Sequence, residues 1–168
     1  KVLLVEDEVF VRESVREIID WEKWGFTVVG EAGNGAEALE FIKREKPHLV
    51  ITDIIMPEMD GIELLRRTRE AGLAPKFVML TCMNDLKYAI QAMEYGASSY
   101  ILKLSMSVSD LRNTLNKVSG ELKEQERESR QHVRPQPSDG DVRIPWDREK
   151  EFYQAFENRN AERCSRLI

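Results

Sequence analysis

The chain has 168 residues, of which 42% are hydrophobic and 33% are charged, and its formal net charge is −5. Acidic and basic residues are nearly balanced along the chain, which excludes nucleic-acid binding through bulk positive charge. The sequence has no apolar run of the roughly 18–20 residues that a membrane span needs, and no signal-peptide pattern at its start. Its only two cysteines are far apart. We therefore expect a cytoplasmic protein with reduced thiols.

Short apolar runs alternate with amphipathic helical patterns through residues 1–120, which is typical of a parallel sheet whose strands are joined by helices. The elements predicted in the first half are a strand over 2–5, a helix over 9–21, a strand over 26–30, a helix over 35–45 and a strand over 49–52. The third strand is a continuous apolar run, as expected for a strand buried on both faces. It leads directly into Asp53, which is therefore predicted at the sheet edge where open α/β proteins bind ligands.

The second half continues the alternation. Its predicted elements are a helix from about residue 62, a strand over 76–80, a helix capped by Asn84, a strand over 100–102 and a helix opened by the capping box Ser107-Val108-Ser109-Asp110. The helix after Asn84 is predicted to bury an apolar face made of Leu86, Ala89, Ile90 and Met93.

The composition changes after about residue 120. Residues 1–120 are predicted to form one domain, and residues 121–133 a strongly charged helical extension. Residues 134–145 contain several prolines and a Ser-Asp-Gly turn, so we expect a linker. Residues 146–168 regain a helical pattern but are too short for a core of their own, which indicates the start of a second region.

Distinctive polar residues follow four of the five predicted strands: Glu6 with Asp7, then Asp53, Thr81 and Lys103. Carboxylates gathered at one sheet edge repel each other and need a cation, and an all-oxygen set suits Mg²⁺. A carboxylate beside Mg²⁺ and a lysine can attack a phosphoryl group and become an aspartyl phosphate. Taken singly, each of these residues has a plain structural explanation as a turn former, helix-start acid, strand end or solvated charge. Their recurrence at four strand ends favours a site.

These residues stand in motifs that resemble the receiver domain of bacterial two-component response regulators. The motifs are Val5-Glu6-Asp7-Glu8, Asp53-Ile54-Ile55-Met56-Pro57-Glu58-Met59-Asp60-Gly61, Leu80-Thr81 and Tyr100-Ile101-Leu102-Lys103. The resemblance covers residues 1–120. It implies an α/β fold of the flavodoxin-like (CheY-like) class, a doubly wound (βα)5 unit with a parallel five-stranded sheet in the order 2-1-3-4-5, here followed by the helical C-terminal extension.

The resemblance also implies roles for individual residues. Asp53 would be the phosphoacceptor, with Thr81 and Lys103 as its reactive partners. Mg²⁺ would be held by Asp53, Asp7, Glu6 through a water, and the main-chain carbonyl of Ile55. Thr81 and Tyr100 would form the switch, although ordinary half-buried packing explains Tyr100 equally well. The phosphoryl donor would be the phosphohistidine of a sensor histidine kinase.

Two positions depart from the family pattern. Leu104 follows Lys103 where the family usually has a proline, often with a cis bond, so Lys103 is expected to be presented differently. Ile55 places an apolar side chain where the family often has a polar or basic one, and this bears on kinase access or on the lifetime of the phosphoryl group.

Within the family, the segment Asp20-Trp21-Glu22-Lys23-Trp24-Gly25-Phe26 and the charged last helix resemble the YesN-like branch. Members of that branch usually end in an AraC-type helix-turn-helix domain, so DNA binding is expected only through a C-terminal domain that this sequence does not contain. A homodimer through the fourth helix, fifth strand and fifth helix is a further expectation, and no membrane partner is expected.

Three other interpretations compete with a phosphorylated receiver. Gly33-Asn34-Gly35 matches part of a dinucleotide-binding fingerprint, but it follows the second strand, and the acidic residues after the first strand would repel a pyrophosphate. A small-molecule phosphohydrolase with an aspartate nucleophile would commonly carry a second aspartate two residues later, where this chain has Ile55. A degenerate receiver would signal without phosphorylation, which the two departures favour and the retained reactive residues oppose.

Overall fold

The computed structural model describes residues 1–82 and 86–131, and its centre is a five-stranded parallel sheet. The strands are β1 (Val2–Val5), β2 (Val28–Ala32), β3 (Leu49–Asp53), β4 (Lys76–Thr81) and β5 (Ser99–Leu102). Their spatial order is β2-β1-β3-β4-β5, so the predicted flavodoxin-like topology is confirmed.

Five helices connect and follow the strands. They are α1 (Val9–Glu17), α2 (Gly35–Glu45), α3 (Gly61–Glu70), α4 (Leu86–Glu94) and α5 (Val108–Gln131). No helix in the described part of the chain is both long enough and apolar enough to cross a membrane. The linker and the second region predicted for residues 134–168 lie outside the described residues, as does the cap predicted at Asn84.

The sheet is buried on both faces. Alternate residues of β3 point into two separate hydrophobic clusters: Val50 packs in a cluster with α2, α3 and α4, whereas Leu49 and Ile51 pack in a cluster with α1 and α5. All five residues of β3 are buried. This two-sided burial explains why the strand is a continuous apolar run rather than an alternating one.

Two predicted boundaries near the start of the chain were wrong. The first helix ends at Glu17 rather than near Trp21, because the Trp21 indole turns back and its Nε1 donates a hydrogen bond of 2.7 Å to the Arg16 carbonyl. Trp21 is buried in the hydrophobic cluster that contains Phe26. The second strand begins two residues later than predicted, at Val28.

The buried face predicted for α4 was partly wrong: Ala89 is buried and Ile90 is half-buried, but Leu86 and Met93 are exposed. The helix buries its small residues Ala89 and Ala92, whereas Leu86 is 40% and Met93 is 37% exposed. Alanine contributes little to an apolar stripe in a sequence, so the larger residues dominated the prediction. Contact with the rest of the fold nevertheless selects the alanine side, on which Ala92 is fully buried.

Side-chain caps fix the starts of α2 and α5, and the capping box predicted for α5 is confirmed. Asn34 Oδ1 accepts a hydrogen bond of 2.8 Å from the Glu37 amide, and Ser107 and Asp110 form the expected reciprocal capping box. The Gly35 amide donates to the Met59 carbonyl at 3.2 Å, so the glycine-containing turn before α2 packs against the loop after β3. These contacts support a turn and helix start rather than a dinucleotide site.

Gly61 is required where the loop after Asp53 enters α3. Its amide donates to the Ile54 carbonyl at 2.8 Å, and a Cβ at this position would lie only 2.1 Å from the Asp53 carbonyl oxygen. We expect Gly61→Ala to lower the free energy of unfolding by about 1–3 kcal/mol, because the backbone below Asp53 would have to move. Urea denaturation measures this change.

Gly120→Ala is the matched control, because Gly120 lies in α5 with open space around its Cα. The same substitution there should stabilise the protein by about 0.5–1 kcal/mol through helix propensity. Equal effects of the two substitutions would contradict the close approach at Gly61.

Candidate functional site

The sequence-predicted polar residues meet at the carboxyl edge of the sheet. Asp53 is the last residue of β3, Thr81 is the last residue of β4, and Glu6 and Lys103 follow directly after β1 and β5. In the parallel register Val5 lies beside Thr52, so Glu6 and Asp53 extend from neighbouring strands at the same level. Strand order therefore brings together residues that are distant in the sequence.

Glu6, Asp7 and Asp53 form a carboxylate cluster. One oxygen from each of the three side chains lies within 4.8 Å of the others. Glu6 is 4% and Asp53 is 7% exposed, whereas Asp7 is exposed to solvent. Such close negative charges with little water around two of them require a compensating cation.

Lys103 supplies one positive charge to this cluster. Its Nζ donates to Asp53 Oδ2 at 2.8 Å and to Glu6 Oε2 at 2.5 Å. It opens a short 3₁₀ helix over Lys103–Ser105, and no peptide bond in the described ranges is cis. Lys103, which was expected to be presented differently because Leu104 follows it, contacts the carboxylates of Asp53 and Glu6. Leu104 itself is 81% exposed.

Burial and pairing set the protonation of these groups. Burial raises the pKa of Glu6, and the hydrogen bond from Lys103 only partly opposes this rise. Burial would lower the pKa of Lys103, but the hydrogen bonds to Asp53 and Glu6 outweigh it, and the pKa of Lys103 is raised. Lys103 is therefore a permanent ammonium at neutral pH.

The carboxylate oxygens that Lys103 does not contact are available to a metal ion. Asp53 Oδ1 accepts from the Ile54 amide at 2.6 Å and keeps further acceptor capacity. Glu6 Oε1 is buried and has no hydrogen-bond partner among the described residues. A hard divalent cation with its bound water would satisfy such an oxygen, so the donor set fits Mg²⁺. The Ile55 carbonyl lies in the loop after Asp53, and its part as a ligand stays a prediction.

Thr81 and Tyr100 lie on the two strands beyond Asp53. Asp53 pairs with Leu80 in the register of β3 and β4, so the fully buried Thr81 is one residue beyond it. Tyr100 is half-buried and packs against the hydrophobic cluster of α2, α3 and α4. Packing is what the structure shows for Tyr100, and the switch role of both residues stays a prediction.

Sequence reasoning missed Arg12, which reaches the edge of the site from α1. Its Nη1 donates to the Glu6 carbonyl at 2.5 Å, and its Nε donates to Glu31 Oε2 at 3.0 Å. The sequence alone does not distinguish an arginine that makes such a contact from any other arginine on the polar side of an amphipathic helix. Only the packing of α1 against β1 and β2 brings it there.

Residues 2–116 match the family of response regulator receiver domains. The chain belongs to this family. Regulator YesN from Bacillus subtilis (strain 168), named as an uncharacterized transcriptional regulatory protein, is 37% identical over 126 residues. That match covers 75% of this chain but only 34% of the relative, so the chain spans about a third of its length.

Solved structures of receiver domains have the same fold. The receiver domain of AraT, a response regulator from Geobacillus stearothermophilus, matches with a TM-score of 0.69 and 34% identity over 74% of this chain and 96% of that one. A chain in the CheX–CheY–BeF3–Mg complex from Borrelia burgdorferi matches with a TM-score of 0.63 and 27% identity, covering 70% and 87% of the two chains.

The contacts of Lys103 predict the effect of removing its charge. Lys103→Met would leave the buried carboxylates of Glu6 and Asp53 without their shared cation, so we expect the free energy of unfolding to fall by about 1–3 kcal/mol in metal-free buffer at pH 7. Urea denaturation in the presence of a chelator measures this loss. Lys123→Met, on the exposed side of α5, should change stability by less than about 0.5 kcal/mol. A Lys103→Met protein as stable as the control would show that the ion pairs contribute nothing.

Proposed function

We propose that this chain is the phosphoacceptor domain of a two-component response regulator and that Asp53 receives a phosphoryl group from a sensor histidine kinase. The observation that carries this proposal is the juxtaposition of Asp53 with Lys103 at 2.8 Å, inside a cluster whose three carboxylates lie within 4.8 Å. The cluster combines an oxygen nucleophile, a fixed positive charge and hard ligands for a divalent cation. Membership of the receiver family also supports the proposal that Asp53 is the phosphoacceptor.

In the proposed reaction a carboxylate oxygen of Asp53 attacks the phosphorus of the donor. The new bond is the acyl phosphate bond of Asp53, and the bond that breaks joins phosphorus to the imidazole nitrogen of the donor histidine, which leaves with its electron pair. Lys103 would stay charged and pair with a phosphoryl oxygen, a role that its hydrogen bond of 2.8 Å to Asp53 supports. Bound Mg²⁺, held by Asp7, Asp53, the Ile55 carbonyl and Glu6 through water, would neutralise negative charge on the phosphoryl group. The chain itself turns over no substrate in this scheme.

The output would follow from the strands next to Asp53. Thr81 would donate its hydroxyl to the phosphoryl group, and Tyr100 would then change its packing on the neighbouring strand. Phosphorylation would favour one of two pre-existing states of the surface formed by α4, β5 and α5. That surface would control dimerisation or an attached domain.

The attached domain is proposed to bind DNA and regulate transcription in the cytoplasm. The similarity to YesN, named as a transcriptional regulatory protein, supports this part of the proposal. The proposed DNA-binding domain would belong to a longer protein, since this chain matches only 34% of the length of that relative.

Intact mass spectrometry tests the chemistry directly. After incubation with acetyl phosphate and Mg²⁺, we expect a single phosphoryl adduct on the wild type and none on Asp53→Asn, because the amide lacks the nucleophilic carboxylate. Thr81→Val is the companion variant, since it keeps the nucleophile and should still be labelled. Labelling should also stop when Mg²⁺ is removed by a chelator.

The other possible results of the labelling experiment would each favour a different interpretation. An adduct that persists on Asp53→Asn would place the phosphoacceptor elsewhere. No adduct on the wild type would favour a receiver that works without phosphorylation. Continuous hydrolysis of a small phosphate ester would favour a phosphohydrolase, although Ile55 stands where such an enzyme commonly has its acid–base aspartate.

Mg²⁺ binding can be assigned to the cluster by a charge-neutralising pair of variants. We expect Asp7→Asn to weaken Mg²⁺ binding by about 10-fold or more, because it removes a carboxylate ligand from the exposed side of the cluster. Glu8→Gln removes the same charge one residue away and outside the cluster, so it should have a much smaller effect. Isothermal titration calorimetry gives both dissociation constants. Equal weakening would indicate general electrostatics rather than ligation.

A further inference from the structure

Arg12 connects helix α1 to two other segments at the edge of the site. Its side chain is 15% exposed and extends from α1 to Glu31 on β2 and to the main chain just after β1. The two contacts use different guanidinium nitrogens, at 3.0 Å to the carboxylate of Glu31 and at 2.5 Å to the carbonyl of Glu6. A planar guanidinium is suited to such a fixed, two-point contact.

The main chain of Glu6 is consequently held from both sides. Its amide donates to the Ala32 carbonyl at 3.0 Å, and its carbonyl accepts from Arg12. The usual device for fixing a helix start is missing at this point, since Glu8 at the N-cap of α1 makes no side-chain capping bond. Arg12 thus anchors the short loop that carries both Glu6 and Asp7.

We infer that Arg12, oriented by Glu31, is a positioning residue that sets the affinity of the carboxylate cluster for a divalent cation. It acts on the main chain of Glu6 and Asp7 and does not itself bind the ion. The inference rests on the proposed function where it takes that ion to be Mg²⁺. The anchoring of the loop rests on the contacts alone.

An effect of the Arg12 charge and an effect of its positioning role would change the affinity for a divalent cation in opposite directions. Arg12 carries a positive charge next to a cation site, so on Coulomb's law alone its removal would tighten the binding of a divalent cation. Loss of positioning would weaken binding, because the two acids would no longer be held in place for the ion. The sign of the change therefore separates the two roles.

Arg16 offers a matched control on the same helix. It binds the other carboxylate oxygen of Glu31 at 2.8 Å, but its side chain is 60% exposed. Arg16→Met therefore removes one positive charge and one ion pair to Glu31 while leaving the bond from Arg12 to Glu6 in place. Arg12→Lys is the complementary variant, because it keeps the charge but replaces the two-point guanidinium with a single ammonium.

Calorimetric titration with MgCl₂ tests the inference on four proteins: the wild type, Arg12→Met, Arg12→Lys and Arg16→Met. We expect Arg12→Met and Arg12→Lys to bind Mg²⁺ about 10-fold more weakly than the wild type, and Arg16→Met to bind within about twofold of it. The initial rate of labelling by acetyl phosphate should fall in the Arg12 variants at low Mg²⁺ and recover at saturating Mg²⁺. Tighter binding by Arg12→Met, or a lost rate that saturating Mg²⁺ does not restore, would overturn the positioning role.

A metal-free measurement keeps this result distinct from the proposed function. Amide hydrogen exchange in chelator should be faster in Arg12→Met than in Arg16→Met at Glu6, whose amide donates to the Ala32 carbonyl at 3.0 Å, and equal exchange would overturn the inference. If Arg12→Met does not fold, Glu31→Gln replaces it, since it loosens Arg12 without removing it, and the same exchange criterion applies. A wild type that neither binds Mg²⁺ nor accepts a phosphoryl group would overturn the proposed function, while the exchange data would still decide the role of Arg12.

Discussion

Electrostatic repulsion at the carboxyl edge of the sheet is the constraint on which the rest of the site depends. Glu6 and Asp53 are almost excluded from water and lie close to Asp7, so their charges must be compensated locally. Lys103 does this from the end of β5, through direct bonds to two of the three carboxylates. One lysine leaves part of the negative charge of three acids uncompensated, and the proposed divalent cation would balance it.

The scaffold holds the carboxylates by main-chain contacts. In the loop after Asp53, the Gly61 amide donates a hydrogen bond to the Ile54 carbonyl. The Met59 carbonyl in the same loop accepts a hydrogen bond from the Gly35 amide at the start of α2. Beside Glu6, β2 and Arg12 hold the main chain from opposite sides. These contacts hold the main chain on both sides of the carboxylate cluster, as the proposed nucleophilic role of Asp53 requires. Helix α4 packs against the fold through Ala89 and Ala92 and leaves Leu86 and Met93 exposed.

The two departures from the family pattern have limited structural consequences. Leu104 replaces the usual proline, yet Lys103 still bonds to Asp53 and Glu6, and the leucine side chain turns outward. Ile55 is 48% exposed, so it too faces solvent beside the site rather than filling it. Both substitutions therefore alter the apolar character of the surface around the carboxylate cluster, not the contacts within it.

The sequence by itself determined the five strands, the order of elements and the residues at the strand ends. This was possible because a strand that is buried on both faces, such as β3, has an unbroken apolar sequence. Polar residues are easily recognised at the points where such apolar runs end. Only the tertiary structure decided the face of α4, the end of α1 at Glu17 and the part played by Arg12. These depend on which small side chains permit close packing, on an indole returning to a helix end and on a contact between distant segments. None of these three features follows from local periodicity.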